Sequence, residues 1–174
     1  MSRVAKISLV LLLAGCASVE SLQVPVVPAS LSVPENQVLA AALDASGVQI
    51  YTCNESRPGN FEWIFKAPEA DLFDRSGHQI GKHYAGPTWE GMDGSKVVGV
   101  VKGRNDSPDQ NAIPWLLLNA KANEGNGLFA KIESIQRINT AAGKAPQVAC
   151  NQTRVGTVER IDYRATYYFY SSKL

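Results

Sequence analysis

His83, Tyr84, Trp89 and Glu90 fall within one short stretch, His-Tyr-Ala-Gly-Pro-Thr-Trp-Glu. An imidazole and a carboxylate in reach of each other are the parts of a general acid–base pair. Asp71, upstream, would add a second carboxylate, so a hydrolase-like enzyme using His83 and Glu90 with Asp71 is one reading. It lacks a nucleophile in a recognisable context, since there is no Gly-x-Ser-x-Gly elbow. The same residues also suit a non-catalytic binding site, with rings on which a sugar stacks and polar groups to orient it. The residues favour binding over catalysis. Trp89 follows Gly86-Pro87 and precedes Glu90, a turn-flanked polar setting that suits an exposed or cleft position. Trp63 and Trp115 have apolar neighbours and read as core. In a third reading the stretch serves folding alone: Gly86 and Pro87 set a turn, Trp89 plugs the core, and Asp93-Gly94 makes a hairpin.

Other polar clusters carry less. His78 and His83 have an odd spacing, which on one strand points them to opposite faces. With no Cys-x-x-Cys and only two histidines, no zinc set forms, and no cofactor is implied. Glu69 and Asp71 share a face if their segment is a strand. That is a glycosidase-like or Ca²⁺-binding arrangement, but more simply a solvated surface beside Lys66 or Arg75. Asn105 to Asn111 is oxygen-rich without the spacing of a Ca²⁺ loop and reads as a polar surface loop.

Cysteine chemistry gives the location. Arg3 and Lys6 precede the apolar run Ile7–Leu13, and Leu13-Ala14-Gly15-Cys16 resembles the lipobox of bacterial lipoproteins. The run is shorter than the ~20 residues that span a bilayer. Residues 1–15 thus read as a cleaved signal and Cys16 as the lipidated first residue of the mature chain. Multiple acyl chains hold such a protein stably on a membrane. Ala17, rather than Asp, after the cysteine resembles the pattern sorted to the outer membrane, facing periplasm or surface. Cys53 and Cys150 remain as a candidate disulfide, which export permits. The loop it closes is long enough for a stabilisation of ~4–5 kcal/mol. The alternative is two buried thiols.

The chain has 174 residues and a formal charge of +1, from 17 basic and 16 acidic side chains. Removing Arg3 and Lys6 leaves 15 against 16, a net of −1. Without a surplus of Lys and Arg, nucleic-acid binding is excluded as the main role. The expected partners are the membrane, through the lipid on Cys16, and an envelope polysaccharide or protein.

Residues 16–33 are rich in Pro and Ser and read as a tether. The alternative is an edge strand at Val24–Val27. From residue 34 to 174 short alternating runs follow one another. Val48–Cys53 alternates, and Phe61, Trp63 and Phe65 share a face. Asp93-Gly94 is a hairpin signal before Val97–Val101. Trp115–Leu118 is a buried strand. Leu128–Ile138 is strand-like, with Lys131, Glu133 and Arg137 outward. In the last run Ile161, Tyr163, Ala165, Tyr167 and Phe169 face a core, and Arg160, Asp162, Arg164, Thr166 and Tyr168 face out. Glu35–Asp44 reads as either a helix or a strand. Frequent Gly and Pro between short strands predict an all-β fold, a single antiparallel β-sandwich or barrel-like domain.

Gly47–Cys53, Phe61–Asp74, Gly81–Gly99, Ile113–Lys121, Ile135–Pro146 and the Tyr-rich ending together resemble the family known as domain of unknown function 3455. The resemblance spans about Pro34 to Tyr170, with Gly-Pro-Thr-Trp-Glu its most specific block. It implies a secreted or lipid-anchored protein with no established activity. Some fungal relatives carry a malate dehydrogenase label. The chain does not support that label, having no Gly-x-Gly-x-x-Gly after a strand and no βαβ alternation.

Overall fold

In the computed structural model, which describes residues 22–173, the alternation at the C-terminus is the seam of a barrel. Eight strands follow in chain order: β1 (Gln37–Arg57), β2 (Asn60–Phe73), β3 (Gln79–Tyr84), β4 (Thr88–Gly91), β5 (Lys96–Asn105), β6 (Trp115–Glu124), β7 (Ile132–Ala142) and β8 (Val158–Ser172). Each pairs antiparallel with the next, and β8 pairs with β1, so the sheet closes. This up-and-down barrel resolves the choice between sandwich and barrel. The signal at 1–15 and Cys16 lie outside the described residues.

Glu35–Asp44 is strand rather than helix from Gln37 onward. Leu43 and Ala45 point into the core, and the segment is laddered to β8 from Gln37↔Ser172 to Thr52↔Val158. Alternation with a cross-strand partner overrides the local helical propensity of its alanines. In β8 the face read as core is core: Tyr163, Ala165, Tyr167 and Phe169 are all buried.

Curvature comes from bulges. Register shifts interrupt β1 at Leu39/Ala41 and Ile50/Tyr51, β5 at Val98/Gly99 and Val101/Gly103, and β7 at Ile132/Ser134 and Ile138/Ala141. Each adds a residue on one side and sharpens the local twist, which lets long strands coil.

The bulge at Ile132/Ser134 also corrects one expectation. Glu133 is exposed as anticipated, but Arg137 faces inward, opposite Leu116 on β6 and Tyr167 on β8. The extra residue reverses which positions face the interior. Strand β7 also starts later than the sequence suggested. Residues 128–131 belong to the preceding turn, from which Phe129 inserts into the core.

The two ends of the barrel differ. At one end the β4–β5 and β6–β7 turns are latched together. Asp93 Oδ1 accepts from Ser95 N at 2.9 Å and Ser95 Oγ at 2.6 Å, and Oδ2 accepts from Leu128 N at 2.9 Å. Ser95 Oγ in turn accepts from the buried Phe129 N–H at 3.0 Å. Gly127 is required here, because a Cβ would fall 2.2 Å from Asp93 Oδ2. Phe129, Phe169 and Leu72 fill the barrel behind this latch.

The outer wall receives part of the segment read as tether. Leu22–Pro28 adds no strand, but Ala29–Leu31 forms a 3-10 turn and Leu31 is fully buried. Gln136 Nε2 donates to Leu31 O at 2.7 Å, while Gln136 Oε1 accepts from Tyr170 Oη at 2.7 Å. The docked chain therefore begins before residue 34. Cys53 and Cys150 form the disulfide, with Cα atoms 5.4 Å apart, tying the β7–β8 connection to β1.

Removing the latch carboxylate leaves the Leu128 N–H and Ser95 without their acceptor. Asp93→Ala is expected to cost about 1–3 kcal/mol, read as a lower urea midpoint at unchanged slope. An unchanged midpoint would show that the latch contributes nothing to stability.

Candidate functional site

The end opposite the latch is hollow. An inner chamber of about 340 Å³ lies between His83, Trp89, Leu118 and Tyr167, with Pro68 and Pro87 in its wall. It adjoins a wider mouth of about 940 Å³, rimmed by the β5–β6 loop and the β7–β8 connection. Phe65, Val101, Leu116 and Arg137 line both spaces and mark their junction. Asp106, Ser107 and Asp109, from the loop read as polar surface, form part of the rim.

Strand alternation divides the four residues of the family stretch between two faces. His83 and Trp89 point inward from paired positions on β3 and β4. Their rings stack at 4.4 Å and 13°, with Tyr167 edge-on to both at 5.0 and 5.3 Å. Gly99 on β5 makes room: a Cβ there would lie 3.0 Å from the Trp89 ring. Trp89 is only 1% exposed, so it takes no exposed surface position, yet it forms chamber wall. Its Nε1 is buried without a hydrogen-bond partner.

Tyr84 and Glu90 lie on the outer face. Tyr84 Oη donates to Glu90 Oε2 at 2.7 Å, and Lys96 Nζ lies 3.4 Å from Glu90 Oε1. The bond to Glu90 pushes the Tyr84 phenol up to about 12 and holds the Glu90 carboxyl below its ordinary range. Asp71 is also on the outer wall, accepting from Gln79 Nε2 at 2.7 Å, and Glu69 pairs with Arg160 at 2.8 Å. His83, Glu90 and Asp71 therefore do not converge on one reacting atom. His78 stands exposed at the β2–β3 turn beside Asp74, away from His83.

His83 is chemically defined by its partner. Its Nδ1 lies 2.9 Å from Thr88 O. A carbonyl only accepts, so Nδ1 carries the proton and Nε2 is left as an acceptor. Burial lowers the His83 pKa to about 3, against the opposing hydrogen bond to Thr88 and with a smaller push from the Arg137 charge. The ring is neutral at physiological pH.

Arg137 is the candidate site residue that the sequence does not reveal. Its Nε and Nη2 donate to Pro114 O at 3.2 and 2.8 Å, which pins one edge of the guanidinium. No carboxylate pairs with it among the described residues. Its charge reaches four interior groups, opposing the burial that raises Tyr51, Tyr163 and Tyr167 and adding to the burial that lowers His83. A half-buried cation without a counter-charge is costly to hold and marks a candidate binding site. At the end of β7 the backbone turns left-handed. Ala142 has φ 56°, beside Gly143, whose carbonyl accepts from Tyr51 Oη at 2.7 Å.

A neutral buried histidine makes stability depend on pH. Between about 3 and 6.5 the unfolded chain binds a proton that the folded chain does not, so stability falls as pH drops through that window. The slope from this group approaches about 1.4 kcal/mol per pH unit. His83→Gln should remove that slope, measured by urea unfolding from pH 7 to 4. Parallel profiles for the two proteins would mean that His83 does not stay neutral on folding.

No curated protein matches the chain. One family does, over residues 34–171, and its description is "Protein of unknown function (DUF3455)". The match covers all eight strands except the last residue of β8, and with them both walls of the hollow end. The chain belongs to this family of proteins of unknown function.

Proposed function

We propose that this protein is a lipid-anchored envelope protein whose barrel binds a small molecule in its hollow end, without catalysis. The observation that carries the binding reading is Arg137, a cation with no carboxylate partner among the described residues, where the two spaces meet. The chamber volume lies in the range of small-molecule pockets. It suits a single ring or a short chain better than a polysaccharide. The enzyme alternative draws no support from His83, Glu90 and Asp71, which stand on opposite faces. The anchor reading rests on the Leu13–Cys16 motif, and Ala17 favours the outer membrane as its site.

Two experiments test the two halves. Full-length protein purified from its own envelope in a maltoside detergent should carry a small molecule, detected by mass spectrometry after denaturation. A Leu116→Trp variant, which fills the junction, should carry none. Returning the molecule at about a hundred times its Kd should stabilise the wild type by about 2.7 kcal/mol, a rise of several degrees in Tm. A wild type that carries nothing, and whose Tm no envelope extract shifts, would sink the binding reading. Separately, radiolabelled palmitate should be incorporated into the wild type and not into Cys16→Ala, which should leave the membrane fraction. Equal labelling of both would remove the anchor from Cys16.

A further inference from the structure

Taking the cavity reading above as its basis, we infer that the ligand is a small organic carboxylate, held by the edge of the Arg137 guanidinium that Pro114 does not occupy, with its apolar body in the inner chamber. The guanidinium is oriented before any ligand arrives, because Pro114 O holds its Nε and Nη2 on one side. Arg137 lines both spaces, and the Tyr167 hydroxyl in the chamber wall also accepts from it. A planar fork presented this way matches a carboxylate.

The surrounding charge agrees. Lys66, Arg104, Arg137 and Lys144 line the two spaces, against Asp106 and Asp109. That surplus of positive charge in a cleft with apolar walls draws anions inward. A monoanion fits better than a dianion such as phosphate, since one guanidinium meets it and the chamber beyond is apolar. The inner walls, Trp89, Leu116, Leu118 and Tyr167 among them, suit a hydrocarbon or aromatic body.

A second, independent observation points the same way. Trp89 is 1% exposed and its Nε1 has no acceptor, although it stands in the chamber wall. His83, 2% exposed, commits Nδ1 to Thr88 O, which leaves Nε2 as the acceptor of the ring. Buried polar atoms are paired in most proteins. The unpaired indole N–H in the chamber wall is a departure of the kind that concentrates at binding sites.

The test uses full-length protein in maltoside detergent and isothermal titration calorimetry. Benzoate and hexanoate are compared with their uncharged amides, benzamide and hexanamide. The carboxylates should bind saturably and at least about tenfold more tightly than the amides, as a charge-assisted hydrogen bond requires. Arg137→Met should erase the difference. If Arg137→Met does not fold, Leu116→Trp serves as the second variant and should abolish benzoate binding. Amides that bind as well as carboxylates, or unchanged benzoate affinity in a folded Arg137→Met or in Leu116→Trp, would overturn the carboxylate assignment. So would silence from all four probes. The cavity reading is decided separately, by whether a small molecule co-purifies.

Discussion

Antiparallel pairing of Gln37–Thr52 with Val158–Ser172 joins the first strand to the last, and every other feature of this protein depends on that seam. A closed sheet has no free edge to protect. It also forces half of all strand residues into one interior, where volume is limited. Trp89 fits because Gly99 lies opposite it, and Gly47 is tolerated because β2 passes so close that a Cβ would meet Glu69 O at 2.1 Å. The disulfide between Cys53 and Cys150 reinforces the same strand, β1, near the hollow end.

Inside, the two ends are built on different physics. The latched end is held by a carboxylate that satisfies several N–H and O–H donors, with Phe129 and Phe169 packed behind it at 4.9 Å. Its polar groups are paired and its apolar groups fill space, so it behaves as a core. The hollow end has a cation with no carboxylate partner among the described residues and an indole N–H without an acceptor. Such departures cost stability and concentrate where proteins bind or react. The stability of the first end offsets the cost of the second.

Arg137 shows how a local irregularity turns a charged side chain into a barrel. Without the bulge at Ile132/Ser134, alternation along β7 would carry this side chain to solvent, where an exposed arginine has no chemical consequence. One added residue turns it to the interior, across from Tyr167 and Leu116. There its charge reaches Tyr51, Tyr163, Tyr167 and His83 together. The hydrogen bonds to Pro114 fix its direction.

Much of this fold was legible in the chain. Period-two alternation in Ile161–Phe169 determined which face of β8 is core, Asp93-Gly94 determined a turn, and Cys53 and Cys150 were legible as a candidate disulfide, which the structure forms. The candidate site was legible only in part. The stretch from His83 to Glu90 reads as one site in the sequence, but alternation splits it, sending His83 and Trp89 inward and Tyr84 and Glu90 outward. Leu31 looked like tether because its burial depends on a wall made by β5, β6 and β7. Sequence by itself fixes local preference, period and turn chemistry, since these act between neighbours along the chain. Closure into a barrel, the inward turn of Arg137 and the hollow beside it arise from bulges and cross-strand register. Those are set by partners far apart in sequence, and only the tertiary structure decides them.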